Sequence, residues 1–180
     1  MKISTLAISS IVLATLAGTA SAAPTVGKYG INIDLTNSTT VSGTPSMFMI
    51  KGKYMMEKDT AILAGFGMQM VDTGANTNSN NTDIGFLFGI RQYTKTKEFS
   101  PFIGGKIQYL STRQGATDVT DLGLLVEAGA EYFLAKQFSL EGSVGGGYVA
   151  TESQAAAGGP TTKASGIGTI SYNLSANYYF

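Results

Sequence analysis

Apolar and polar residues alternate without a break along the final stretch of the chain. Phe180, Tyr178, Ala176, Leu174, Tyr172 and Ile170 are apolar, and Tyr179, Asn177, Ser175, Asn173, Ser171 and Thr169 between them are polar or amphipathic. A period of two predicts an extended strand whose two faces meet different media. The pattern recurs, and eight segments read as strands: Val26–Thr36, Met47–Met56, Ala61–Val71, Asp83–Thr94, Phe99–Ser111, Leu122–Phe133, Phe138–Ala150 and Ser165–Phe180. The connections alternate in kind. Short ones fall at Glu57–Thr60, Lys95–Glu98 and Leu134–Gln137, and longer polar ones at Asn37–Ser46, Asp72–Thr82, Thr112–Asp121 and Thr151–Ala164. Short turns at one end and long loops at the other describe an up-and-down antiparallel sheet.

The charges sort by parity. One set of alternate positions, including Ile31, Ile33, Ile50, Phe66, Phe86, Phe88, Ile107, Leu124 and Val144, carries no charge in any strand. The other set carries Lys28, Asp34, Lys51, Lys53, Arg91, Lys106, Glu127, Glu131 and Glu141. A soluble barrel would turn the apolar face inward and the charged face outward. Here the charged parity is also the small-residue parity, with Gly30, Gly65, Gly67, Gly85, Gly89, Gly104, Gly123, Gly129, Gly145 and Gly147. The interior of an eight-stranded barrel is narrow, so small residues must make room there for long charged ones. The bulky apolar face would overfill such a lumen. The consistent assignment is polar inside and apolar outside, facing lipid. Aromatic residues agree with it. Tyr54, Phe99, Tyr132, Phe138, Tyr178 and Phe180 fall near one set of strand ends, and Phe48, Tyr109 and Tyr148 near the other, as two interfacial girdles would.

The N-terminus supplies a route to such a membrane. Lys2 precedes an apolar stretch from Leu6 to Leu16, and Ala20 and Ala22 then stand three and one residues before a cut. That layout predicts a secretory signal over residues 1–22, with cleavage between Ala22 and Ala23 and a barrel domain over 23–180. Cutting one residue later would place Pro24 directly downstream. The apolar stretch is too short for a membrane anchor, and no later run approaches the roughly 20 residues that a membrane helix requires. Only a closed sheet then satisfies every backbone amide within lipid. The fold class expected is all-β, an eight-stranded antiparallel up-and-down transmembrane β-barrel in a bacterial outer membrane.

Composition narrows the chemistry. The 180 residues include 12 basic and 12 acidic side chains and 23 glycines, with no Cys, His or Trp. Charge balance gives no reason to expect nucleic acid as a partner. Without Cys or His there is no thiolate nucleophile, Ser-His relay or imidazole metal site, and no disulfide. No cofactor is expected. Glu131 and Glu141 could form a carboxylate pair of the glycosidase kind, but an inward structural role suits them better. The Asn-rich segment Asp72–Asp83 has Thr77 where a calcium loop needs glycine, and the Gly145–Gly147 run precedes no helix. Both read as ordinary barrel parts.

The inward charges are the candidate site: Lys51, Lys53, Arg91, Lys106, Glu127, Glu131 and Glu141. If the turn between the fifth and sixth strands is centred on Ala116 and Thr117, Lys106 lies directly across from Glu127. Glu131 and Glu141 meet across the next turn and call for a cation from the far wall, Arg91 or Lys53. Unpaired buried charges cost several kcal/mol each, so a paired network that plugs the barrel is expected over a gated ion path.

The chain resembles the small outer-membrane β-barrel proteins of Gram-negative bacteria, the opacity/OmpX/OmpA-barrel type often called porin-like. Tyr178-Tyr179-Phe180, the segment GAEYFL at Gly129–Leu134 and PFIGGKIQY at Pro101–Tyr109 carry the likeness, which extends over the whole chain after the signal. The resemblance implies that Tyr178 and Phe180 are the signal read by the barrel-assembly machinery. Lipid deacylases of similar size use a histidine that is missing here. The expected function is non-enzymatic: envelope integrity, with adhesion or host contact through polar outer loops such as Asn76–Thr82 and Ala155–Thr162. Outer-membrane lipid and lipopolysaccharide are the expected surroundings. The alternative is a narrow porin-like channel for ions or small solutes, and a third class is a soluble periplasmic binder.

Overall fold

The computed structural model describes residues 27–39, 49–72, 80–94, 98–155, 159–167 and 171–180. Ala22, Ala23, the predicted signal and Phe48 lie outside them. Nine strands follow one another: β1 Tyr29–Thr39, β2 Ile50–Met55, β3 Thr60–Asp72, β4 Asn80–Tyr93, β5 Phe99–Gln114, β6 Thr117–Ala135, β7 Phe138–Ala155, β8 Thr161–Ile167 and β9 Ser171–Tyr179. Each pairs antiparallel with its chain neighbour from β1 through β7, and β9 closes the sheet by pairing with both β7 and β1. Closure leaves the membrane-spanning part without an open edge, as lipid demands.

The predicted last strand is two strands sharing one place in the barrel. The lower part of β7, Phe138 to Gly145, pairs with β9, and the upper part, Tyr148 to Gln154, pairs with β8. Four steps along β8 and β9 match three along β7, so the two registers differ by one residue. The cylinder therefore remains eight strands around with one extra element.

Two predicted outer loops are largely strand. Arg113 pairs with Asp118 and Gln114 with Thr117, so the β5–β6 hairpin closes through Gly115 and Ala116 alone. Gly115 has φ 60°, the left-handed value that suits glycine at the first centre of a two-residue hairpin turn. Likewise Gln154 pairs with Thr161. Strands of 19 residues in β6 and 18 in β7 rise well beyond the 9–11 residues that cross the bilayer. They form a hairpin wall standing above the membrane.

The two parities face as the alternation predicts. Phe86, Ile107 and Leu124 are 52 %, 53 % and 61 % exposed on the outer wall, whereas Lys51 and Glu127 are 4 % and 7 % exposed within. The outer surface is the lipid-facing one. At the short-turn end Tyr29 and Tyr54 stack with centroids 4.7 Å apart, and Tyr178 meets Phe180 edge-on at 5.2 Å. Tyr132 donates to Glu98 Oε1 at 2.6 Å. These rings keep a polar tip in the headgroup zone. At the other end Tyr109 and Tyr148 are exposed on the outer wall.

Candidate functional site: the barrel lumen

Side chains that meet in the lumen come from strands on opposite walls. Lys53 on β2 reaches across to β6 and β7, where Glu131 and Glu141 are register partners. Its Nζ lies 3.0 Å from Glu131 Oε2 and 2.7 Å from Glu141 Oε2, and it donates to the Tyr93 hydroxyl at 3.1 Å. All three ammonium protons are used. Tyr93 in turn donates to Glu131 Oε2 at 2.8 Å, and Tyr179 donates to Glu131 Oε1 at 2.7 Å. Asn177 Nδ2 and the Ser139 hydroxyl donate to that same Oε1. Asn32 on β1 donates to Asn177 Oδ1 at 2.6 Å and to Ser175 Oγ at 2.9 Å, which binds the closing seam into the cluster.

A second tier continues it. Arg91 Nε lies 2.6 Å from Glu127 Oε1, and Nη1 lies 2.7 Å from Glu141 Oε1. The guanidinium lies 4.2 Å from the centroid of the Phe102 ring. Such stacking is open to the planar, weakly hydrated Arg head. Lys106 Nζ meets Glu127 Oε2 at 3.1 Å. Lys51 meets Asp34 at 2.5 Å, and Asn173 donates to Asp34 at 2.9 Å. Lys53, Arg91 and Lys106 with Glu131, Glu141 and Glu127 thus form a chain of ion pairs from wall to wall, and Lys51–Asp34 stands beside it as a separate pair.

The glycines make this chain possible. A Cβ on Gly104 would stand 2.9 Å from Arg91 Cγ and 2.7 Å from the Ile90 carbonyl oxygen, and one on Gly65 would stand 2.8 Å from Lys51 Cγ. Long side chains lie where the neighbouring strand has none. Apolar layers bracket the ionic tiers. Met55, Ala61, Tyr93 and Phe102 form a buried cluster toward the short-turn end. Met49 and Leu110, with Leu87 packed against them, form another toward the long-hairpin end.

Several positions differ from the sequence expectation. Lys106 is the register partner of Leu125, and Glu127 faces Gly104. The hairpin turn is centred on Gly115 and Ala116, one residue earlier than expected, which slides the register by two; the Lys106 side chain reaches Glu127 diagonally. Glu131 and Glu141 draw on both proposed cations. Lys28, on the inward parity, precedes β1 and is exposed. Tyr93, Tyr179, Asn32 and Asn177 were missed because only formal charges were tracked, although all four share the charged parity. Tyr178 and Phe180 lie on the outer wall, where the Phe180 amide donates to the Tyr29 carbonyl at 2.9 Å and ties the chain end to β1. The Glu131–Glu141 pair is sealed under other side chains, with no room for a sugar between the carboxylates. An open furrow of about 590 Å³, lined by Ile90, Ile103, Gly105, Val126, Ala128 and Val144 among others, runs along the outer wall instead. Acyl chains of the surrounding lipid are its natural filling.

A closed barrel with apolar residues outside and an ionised interior is the outer-membrane solution, and a family comparison agrees. The model of the outer membrane protein beta-barrel domain matches residues 3–180. The chain belongs to that family. It is an outer-membrane barrel, set in the lipids of a bacterial outer membrane. Among solved structures it is similar to OprG of Pseudomonas aeruginosa, at 13 % identity and TM-score 0.58, over 88 % of this chain and 98 % of that one. AlkL, solved in lipid bilayers, gives 13 % identity and 0.59 over 91 % and 94 % of the two chains. Outer membrane protein W of E. coli gives 13 % and 0.52 over 87 % and 99 %. At such identities the likeness establishes the fold. No curated protein matches in sequence.

Proposed function

We propose that this barrel is a non-enzymatic, closed envelope protein, whose lumen is a structural plug and whose tall outer hairpins are its contact surface. The observation that carries the reading is Lys53, buried and shared by Glu131 and Glu141 from the opposite wall. A cation held by two carboxylates and a tyrosine hydroxyl, within a tier bracketed by apolar layers, supports a plugged lumen. Eight-stranded barrels are narrow enough for side chains to fill. Envelope integrity is the role left to a wall element of this kind, with adhesion or host contact through the extended hairpins. Residues 1–22 serve as the signal, cut between Ala22 and Ala23, which the mass of the exported protein checks. Tyr178 and Phe180 serve the barrel-assembly machinery.

Planar-bilayer recording tests the plug. Purified protein gives only small, sporadic current steps, and Lys53→Ala or Glu131→Ala raises their frequency. Large, steady channels in the wild type, unchanged in those variants, would establish the porin-like alternative.

A further inference from the structure

Above the Met49–Leu110 layer the lumen holds a carboxylate that forms no ion pair among the described residues. Asp83 on β4 points inward and is 3 % exposed. Its register partners are Gln69 on β3 and Thr112 on β5, and Thr112 is 1 % exposed. Among the described residues, Asp83 Oδ1 and Thr112 Oγ1 each meet no hydrogen-bond partner. One row deeper on β3 and β4 stand Gly67 and Gly85, which add no side chain to the space. Asp121, inward on β6 in the row of Gly85 and Leu110, accepts from Thr151 at 2.5 Å.

The basic residues are committed elsewhere. Lys51, Lys53, Arg91 and Lys106 serve the ionic tiers below. Arg113 and Lys163 are exposed and pair with Asp118 and Glu152. Of the remaining lysines, Lys28 precedes β1, Lys58 and Lys136 lie in the β2–β3 and β6–β7 turns, and Lys2, Lys95 and Lys97 fall outside the described residues, the latter two between β4 and β5 in sequence. The stretches 40–48, 73–79, 156–158 and 168–170, outside the described residues, contain no Lys, Arg or His. Burying a carboxylate without a partner is strongly unfavourable. A cation from outside the chain can supply that partner.

We infer that the outer lumen binds a calcium ion between Asp83 and Thr112, with the Gln69 amide oxygen and water completing the shell. Adjacent strands lie about 4.7–4.9 Å apart, so oxygens on neighbouring strands can flank one ion at the 2.3–2.6 Å that calcium takes. Magnesium requires about 2.0–2.1 Å and near-ideal octahedral geometry, which a row of strand side chains does not offer. With few protein ligands the affinity belongs to the weak extracellular class, Kd about 10⁻⁴–10⁻³ M. The ion gives Asp83 a cationic partner, its remaining positive charge hydrated by the water in its shell, and links β3, β4 and β5 independently of the plug below.

The test is calorimetric titration of CaCl2 into the chelator-washed, detergent-solubilised barrel, with heat-modifiable gel migration as the check on folding. The wild type binds saturably in the stated range. Asp83→Asn and Thr112→Val each weaken binding at least tenfold while migration stays that of the folded form; should one fail to fold, the other carries the test. Asp118→Asn with Glu152→Gln, on the outer face, leaves binding unchanged. Absence of saturable binding to the wild type by about 10 mM, a span beyond the weak class, overturns the inference. So does undiminished binding by a folded Asp83→Asn or Thr112→Val protein, or loss of binding in the outer-face double variant.

Discussion

Replacing Lys53 with methionine, which keeps much of the length and removes the charge, isolates the centre of the lumen network. The wild-type ammonium touches two carboxylates and a hydroxyl, all buried. After Lys53→Met, Glu141 retains Arg91, and Glu131 retains hydrogen bonds from Tyr93, Ser139, Asn177 and Tyr179. One negative charge is left over. Removing one partner of a buried pair costs about 3–5 kcal/mol, mostly through the charge left behind. Roughly two to three and a half powers of ten in the folding equilibrium are at stake. The assay is urea unfolding of the barrel refolded in lipid vesicles, read from the folded and unfolded bands on a cold gel. Lys53→Met with Glu131→Gln restores neutrality and keeps most hydrogen bonds, so that double variant returns to within about 1 kcal/mol of the wild type. A loss below about 1 kcal/mol for Lys53→Met, the value of a solvated surface pair, would refute the reasoning. It would mean that water already fills the lumen and screens these charges.

Two further outcomes probe the walls. Gly104→Ala places its Cβ against Arg91 and the Ile90 carbonyl and costs about 1–3 kcal/mol in the same unfolding assay, whereas Gly105→Ala, whose Cβ would meet only the Leu125 carbonyl oxygen at 3.9 Å, leaves stability unchanged or slightly raised. Phe180→Ala removes an exposed ring, so the stability of the refolded barrel stays within about 0.5 kcal/mol; its level in the outer-membrane fraction falls, and an unchanged level would remove Phe180 from the assembly signal.

The alternation made the barrel legible wherever one strand face meets lipid and the other the lumen. Ile103, Ile107 and Leu124 against Lys106 and Glu127 could be sorted from sequence because the two media differ sharply. Above the membrane both faces of a strand meet water or polar loops, and the contrast vanishes. Thr112–Asp121 reads as a loop for that reason, yet Arg113 and Asp118 are paired strand residues. Register was lost with the turn: Gly115 gave the cue for a two-residue hairpin, and centring it one residue late misplaced Lys106 by two. The one-residue difference in register of β8 and β9 against β7 has no signature in the alternation. In the lumen, charges were legible and their neutral partners were not. Tyr93 and Tyr179 look like girdle aromatics, and only their parity separates them from Tyr132 and Tyr178.

The sidedness of the wall can be measured most directly by fluorescence, because the chain has no tryptophan. Single replacements Phe86→Trp and Leu124→Trp on the outer wall, and Phe102→Trp in the lumen, are refolded into vesicles whose lipids carry bromine on the acyl chains. Strong quenching at 86 and 124 with little at 102 is the result this account predicts. Quenching at 102 together with protection at 86 and 124 would contradict it and turn the barrel inside out.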